Sequence, residues 1–250
     1  MVVTLAQMDI ELGQTDVNIA RADQLTTNIE TDLLVLPEMW ATGYSRYPED
    51  FSEDESTSLA LCWMKDIATK RGCAVCGSLP IMDASGKYFN RHYFVTPGDV
   101  KYYDKHHLFS YAHEDKGYTA GQKHVIVEWK GFRFLLQTCY DLRFPVWSRY
   151  GTAGEYDAII YVANWPDTRQ NAWDVLLQAR AIENQCFVIG VNRVGVERKT
   201  HFAGGSVIIA PSGQVIEECG RGHSVCCHAN IERGVVDKMR SEFPVLLDRD

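Results

Sequence analysis

"TDLLVLPE", residues 31–38, sets the reading of the fold. An aspartate precedes an apolar run of strand length, and a proline and a glutamate follow it, as in a buried strand that delivers a carboxylate at its end. The pattern returns in the second half as "YDAIIYVANWP", residues 156–166. One α/β motif used twice favours two stacked sheets with helices outside them, a four-layer α-β-β-α sandwich with mixed sheets.

Working outward from these two stretches, short apolar runs alternate with amphipathic segments. Val2–Gln7, Leu33–Leu36 and Ala74–Leu79 are expected as strands, joined by helices over Asn18–Glu30 and Ser56–Lys70. Asn90–Val95 and Val100–Asp104 flank "TPGD" and form a hairpin. The second half offers strands at Arg133–Thr138, Ala158–Val162 and Phe187–Val191, with helices at Trp147–Gly154 and Asn171–Asn184. A last strand pair, Gly205–Ala210 and Gln214–Glu218, turns at "PSG". No Ser/Gly/Pro-rich linker divides the chain, so residues 1–250 are read as a single domain.

Composition narrows the function. With 46% hydrophobic residues, the 250-residue chain can bury a sizeable core. A net charge of −8 and only short basic clusters, such as Arg91-His92, argue against nucleic acid or a membrane surface as partner. A small molecule fits better. "MVVTLAQMDIELG" lacks the basic and cleavage segments of an export signal, and no apolar stretch is long enough to span a bilayer, so a cytoplasmic protein is expected. Its eight cysteines are accordingly read as reduced thiols.

Three strand-like segments end on reactive side chains: "LLVLPE" on Glu38, "VKYYDK" on Lys105 and "FRFLLQTC" on Cys139. In α/β sheets the ligand crevice lies beyond the carboxyl ends of strands. A thiol needs a base to become a nucleophile at neutral pH, and a partly buried Glu38 could take that proton and return it to a leaving amine. Lys105 would remain an ammonium beside carboxylates. With the backbone N–H of Tyr140 it could stabilise an oxyanion.

The segments "LPEMWATGY", "YDKHHLF" and "TCYDLRFP", in this order, resemble the three signatures of the nitrilase superfamily, the carbon–nitrogen hydrolases with a Glu-Lys-Cys triad. The resemblance extends from "AQMDIELG" through "ANWP" to "GGSVIIAPSG". It implies an α-β-β-α sandwich, a homodimer or larger assembly, and hydrolysis of a non-peptide C–N bond through a cysteine thioester without metal or organic cofactor. On this match Glu38 is the general base and acid, Lys105 the oxyanion stabiliser and Cys139 the nucleophile. Glu114, in "HEDKGYTAG", is matched to a second glutamate that orients the lysine and helps position the substrate amide. Within the superfamily the chain most resembles the ω-amidases, which act on the ω-amide of small dicarboxylic acid monoamides such as 2-oxoglutaramate. Arg143 is then a candidate anchor for the substrate carboxylate, while Tyr44 and Trp165 would line the pocket.

Other readings stay open. The enzyme could hydrolyse an N-carbamoyl amine or a nitrile, or the chain could be a non-catalytic thiol sensor or ligand-binding protein. "CAVC", residues 73–76, has the spacing of half a zinc site, but strand residues three apart face opposite sides. Cys226, Cys227 and a neighbouring histidine, His223 or His228, form a weak metal candidate. His106 and His107 are assigned a structural role, and Asp141 is expected to pair with Arg143. Neither G-x-G-x-x-G after the first strand nor a phosphate-binding G-x-x-x-x-G-K-[ST] loop is present, against a nucleotide-binding module.

Overall fold

The apolar runs assemble into two mixed sheets that face each other, seen here in a computed structural model that describes residues 1–249. The first contains β1 (Val2–Gln7), β2 (Leu33–Val35), β3 (Glu53–Asp54), β4 (Ala74–Met82), β5 (Tyr88–Val95) and β6 (Val100–Asp104). The second contains β7 (Ile126–Trp129), β8 (Phe132–Thr138), β9 (Ala158–Ala163) and β10 (Phe187–Asn192). A hairpin of β11 (Val194–Glu197) and β12 (Thr200–Ala203) stands off both sheets. β13 (Val207–Ile209) and β14 (Val215–Glu218) extend the second sheet, and β15 (Val225–Asn230) returns to the first.

The spatial orders are β15-β1-β2-β4-β5-β6, with β3 beside β4, and β14-β13-β10-β9-β8-β7. In both sheets three central strands are parallel, β1-β2-β4 and β8-β9-β10, and antiparallel strands flank them. Parallel neighbours require crossovers. α1 (Thr15–Thr26) and α2 (Leu59–Arg71) supply them in the first sheet, and α5 (Gln170–Asn184) supplies the one between β9 and β10.

The period-two side-chain alternation of the central strands separates three apolar layers. Leu5, Val35 and Phe94 face Phe134, Ile160 and Ile189 between the sheets. The alternate residues Ala6, Leu34 and Val75 pack with Ala22, Met64 and Ile67 of the outer helices. On the other side Leu135, Ile159 and Val188 meet Trp173, Leu177 and Ala181 of α5. Both faces of each sheet are therefore covered, which gives the α-β-β-α order expected from the repeated motif.

Several local expectations are corrected. The helix expected over Trp147–Gly154 is only the short α4 (Pro145–Ser148): Arg149 just past it is already extended at φ −60° and ψ 125°, and Gly151 and Gly154 beyond, at φ 91° and 108°, do not resume it. α1 ends at Thr26 rather than Glu30, with Asn28 left-handed at φ 62° just beyond it. The final strand and α6 (Arg233–Glu242) had no counterpart in the sequence reading. β15 pairs along the whole of β1, from Val2 opposite Asn230 to Gln7 opposite Val225.

The cysteines are not all free. Cys219 and Cys227 form a disulfide, contrary to the reduced-thiol reading. Cys219 leaves the second sheet just after β14 while Cys227 sits on β15, so chain return brings the two together across the sheets. Cys73 and Cys76 are buried in different apolar layers, and no cluster of three metal-ligating side chains forms among the described residues. No helix among them is long and apolar enough to cross a membrane.

Candidate active site

The ends of four strands converge. Past β2, Ser78 fixes the turn that carries Glu38: its Oγ accepts from the Met39 N–H at 3.0 Å and its N–H donates to Pro37 O at 3.3 Å. Past β6, Lys105 donates its N–H to Asn90 O at 3.0 Å and accepts at its carbonyl from Gly121 N–H at 2.9 Å. Past β9, Asn164 reaches across to the first sheet, its N–H donating to Glu38 Oε2 and its Nδ2 to Glu38 O, both at 2.8 Å.

Cys139 follows β8 and opens a 3-10 turn, Cys139–Arg143, at a left-handed φ of 45°. A non-glycine residue in that region costs on the order of 1–2 kcal/mol, so its surroundings must hold it there. Asp141 does so. One carboxylate oxygen accepts from Thr138 N–H at 3.0 Å and Tyr103 O–H at 2.8 Å. The other accepts from the His107 N–H and faces its Nδ1, each at 2.9 Å.

Glu38, Lys105 and Glu114 form one buried array, each no more than 1% exposed. Lys105 Nζ donates to Glu38 Oε1 at 2.9 Å and to both oxygens of Glu114 at 2.9 and 3.1 Å. Asn90 Nδ2 bridges the two carboxylates, 2.7 Å from Glu38 Oε1 and 3.1 Å from Glu114 Oε1. Glu114 begins the short helix α3 (Glu114–Gly117), and the Phe109 N–H donates to its Oε2 at 2.6 Å. Every oxygen of the pair thus meets a donor, as buried charges require.

Burial opposes the Lys105 charge, but Glu114 and then Glu38 outweigh it and hold the ammonium more firmly than usual. Burial pushes the Cys139 thiol well above its ordinary range, and the Glu38 carboxylate adds to the effect against the pull of Lys105. The resting cysteine is therefore a neutral thiol beside a carboxylate.

These groups floor a cavity of about 590 Å³, within the size range of small-molecule sites. Glu38, Lys105, Cys139, Asn164 and Tyr44 line it, and Phe109, Arg169 and residues of the β11–β12 hairpin complete its walls. The Tyr44 hydroxyl and Asn164 Oδ1 are buried without a hydrogen-bond partner among the described residues. Asn90, Asn164, Arg169 and the hairpin were not singled out as site residues in the sequence. Asn164 had a signal, since "ANWP" is part of the resemblance and ends a strand.

Three expected pocket residues lie elsewhere. Trp165 is 3% exposed, packs on Trp173 and donates its Nε1–H to Arg169 O at 2.8 Å, so it supports the wall from behind. The Tyr140 ring packs between Phe109 and Phe144 outside the lining, although its N–H lies at the start of the 3-10 turn, where amides lack intrahelical acceptors. Arg143 does not line the cavity; its guanidinium sits 4.9 Å from the Trp165 ring centre. In a 3-10 turn residues three apart share a side, so a residue four beyond Cys139 is turned away from it. The expected Asp141–Arg143 ion pair is likewise absent among the described residues. His106 stacks on Trp147 and His107 on Phe144, neither of them lining the cavity.

A partly buried cysteine, two carboxylates and an ammonium at the ends of two facing sheets define a class of hydrolase, and the chain belongs to it: residues 2–241 match the carbon–nitrogen hydrolase family. Among its relatives, an "Omega-amidase YafV" of Escherichia coli strain K12 is 38% identical over 99% of this chain and 96% of its own length. A "2-oxoglutaramate amidase" of Bacillus subtilis strain 168 is 36% identical over 98% and 96%. The crystal structure of XC1258 from Xanthomonas campestris, a CN-hydrolase superfamily protein with an arsenic adduct in its active site, superposes with a TM-score of 0.93. It is 36% identical, with 100% of this chain and 97% of that one covered.

Proposed function

We propose that the protein is an ω-amidase that hydrolyses the terminal carboxamide of small dicarboxylic acid monoamides, 2-oxoglutaramate being the representative substrate. The observation that carries the chemistry is the meeting of Glu38, Lys105 and Cys139 in the lining of one cavity, with the charges of the Glu38–Lys105–Glu114 array already satisfied. The substrate class is supported by the two amidase relatives matched over nearly their full lengths.

In the reaction, Glu38 accepts the thiol proton as Cys139 Sγ bonds to the carboxamide carbon. Lys105 Nζ and the Tyr140 N–H stabilise the negative charge that develops on the carbonyl oxygen. Glu38 then passes its proton to the amide nitrogen, the C–N bond breaks and ammonia leaves a thioester on Cys139. Asn164 Oδ1, oriented by the two bonds its residue makes to Glu38, is available to accept an N–H of the leaving group. Water deprotonated by Glu38 attacks the thioester, and the proton returns to the thiolate as the acid departs. Glu114 touches no reacting atom in this scheme and keeps Lys105 in place.

The direct test is ammonia release from 2-oxoglutaramate by wild type and Cys139→Ala. Turnover is expected to fall by about 10⁴-fold or more with the melting temperature preserved. Substantial release by the variant would remove Cys139 as nucleophile, and wild-type activity confined to N-carbamoyl amines or nitriles would remove the ω-amide assignment.

The same reading takes the working form to be a homodimer. Val175 and Ile182, seven residues apart on one face of α5, are 53% and 54% exposed, and Val146 and Leu247 are more exposed still. Sedimentation equilibrium is expected to give twice the chain mass, and a single-chain mass at micromolar protein would exclude it.

A further inference from the structure

We propose that Arg169, rather than Arg143, binds the remote carboxylate of the substrate and makes the site selective for amides of dicarboxylic acids. The proposal rests on the ω-amidase reading and names the residue that sets its selectivity.

Arg169 is a half-buried guanidinium in the cavity wall with no carboxylate in ion-pair range among the described residues. Two other cations around the site are committed to carboxylates. Lys105 is held by Glu38 and Glu114, and Arg193 by Glu197 at 2.7 Å and by Ile10 O. Arg143 lies over Trp165 outside the lining. Lys199 and His201 of the β11–β12 hairpin also line the cavity, but both are exposed, and water competes for them.

Its placement follows from two neighbours of the catalytic array. Its guanidinium carbon is 5.3 Å from the Phe109 ring centre, and the Phe109 N–H holds Glu114. Its backbone closes the 3-10 turn Asp167–Arg169, which follows closely on Asn164, the residue that grips Glu38. The Trp165 Nε1–H to Arg169 O bond and the Arg169 N–H to Pro166 O bond, 2.8 and 3.0 Å, fix that turn. A guanidinium resting on an aromatic face loses less side-chain freedom on binding, and its fork matches a carboxylate through two parallel N–H···O bonds.

In extended 2-oxoglutaramate four C–C bonds separate the amide carbon from the carboxylate carbon, a span of about 5 Å. The proposal places the amide over Cys139 and the carboxylate against Arg169 in the wall of the same cavity. A simple aliphatic amide leaves the guanidinium unpaired. Selectivity then arises from an interaction that only one class of substrate can complete.

The test compares kcat/KM for 2-oxoglutaramate with that for butyramide in wild type, Arg169→Gln, Arg169→Lys and Arg143→Gln. Losing hydrogen bonds to a charged group predicts that Arg169→Gln lowers the ratio about 10- to 100-fold, chiefly through KM. Arg169→Lys keeps the charge without the fork and falls between, while Arg143→Gln changes the ratio less than either. Butyramide turnover by the same samples reports an intact Cys139 centre. Calorimetric binding of 2-oxoglutaramate in the Cys139→Ala background, with and without Arg169→Gln, reads the contact without turnover. An unchanged ratio and affinity in Arg169→Gln, or a collapse caused by Arg143→Gln instead, overturns the proposal while leaving the ω-amidase reading intact. A wild type that shows no preference for 2-oxoglutaramate overturns both.

Discussion

At the residue scale the site depends on how a lysine is shared between two carboxylates. Glu114 contacts Lys105 with both oxygens, so Glu114→Gln replaces one of the two charge-assisted bonds with an amide that must also choose which way to face. Lys105 then shifts toward Glu38, and the oxyanion site moves with it. A misplacement of about 1 Å can cost about 100-fold in rate, so kcat is expected to fall by roughly that factor with KM nearly constant. Steady-state kinetics on 2-oxoglutaramate check this. A rise in KM at unchanged kcat would instead place Glu114 in substrate binding.

At the element scale the position of Lys105 is a property of the end of β6 and of the loop returning past it. Gly121 donates its N–H to Lys105 O, and a Cβ at this glycine would collide with the carbonyl of Asp104, the last residue of β6. The clash is with backbone, which has little room to yield. Gly121→Ala is therefore expected to destabilise the fold by about 1–3 kcal/mol and to lower kcat as well, because relief requires moving the peptide that carries Lys105. Thermal melts and ammonia release read the two effects; a melt lowered with kcat unchanged would separate the loop from the lysine. The strand ends bearing Glu38, Lys105 and Cys139 were legible because each follows an apolar run with turn chemistry after it. Arg169 was not legible. Nothing local in "DTR" distinguishes a cavity wall from a solvated turn, and its meaning comes from Phe109, remote in sequence. The same holds for β15, whose "VCCHAN" lacks a clear alternation and becomes a strand by pairing with β1 at the opposite end of the chain. The helix expected over Trp147–Gly154 failed for a different reason, since the chain is already extended at Arg149 and the glycines beyond it do not resume a helix.

At the scale of the whole molecule the two sheets are joined not only by apolar packing but by a buried histidine. His92 lies on β5 of the first sheet. Its Nδ1 is 3.1 Å from the carbonyl of Gln137 on β8 of the second, and its Nε2 is 2.8 Å from Cys76 Sγ on neighbouring β4. Burial pushes its pKa down to about 3, against the opposing influences of the Gln137 carbonyl and Asp141. The folded protein thus refuses a proton that the unfolded chain takes up near pH 6.5. Above pH 6.5 neither state is protonated at this residue and its contribution is complete. As pH falls from 6.5 toward 3 the unfolded state alone gains the proton, and stability is lost at up to about 1.4 kcal/mol per pH unit. Between pH 6.5 and 5, before most carboxylates titrate, this predicts a loss of about 2 kcal/mol. Urea unfolding of wild type and His92→Asn across this interval isolates the effect, because the other histidines contribute to both. The variant is expected to be less stable at neutral pH, having lost its inter-sheet contact, but to show a shallower decline with acid. Equal slopes in the two proteins would mean that His92 accepts a proton within the folded sandwich, and that its place between the sheets is wetter than its burial implies.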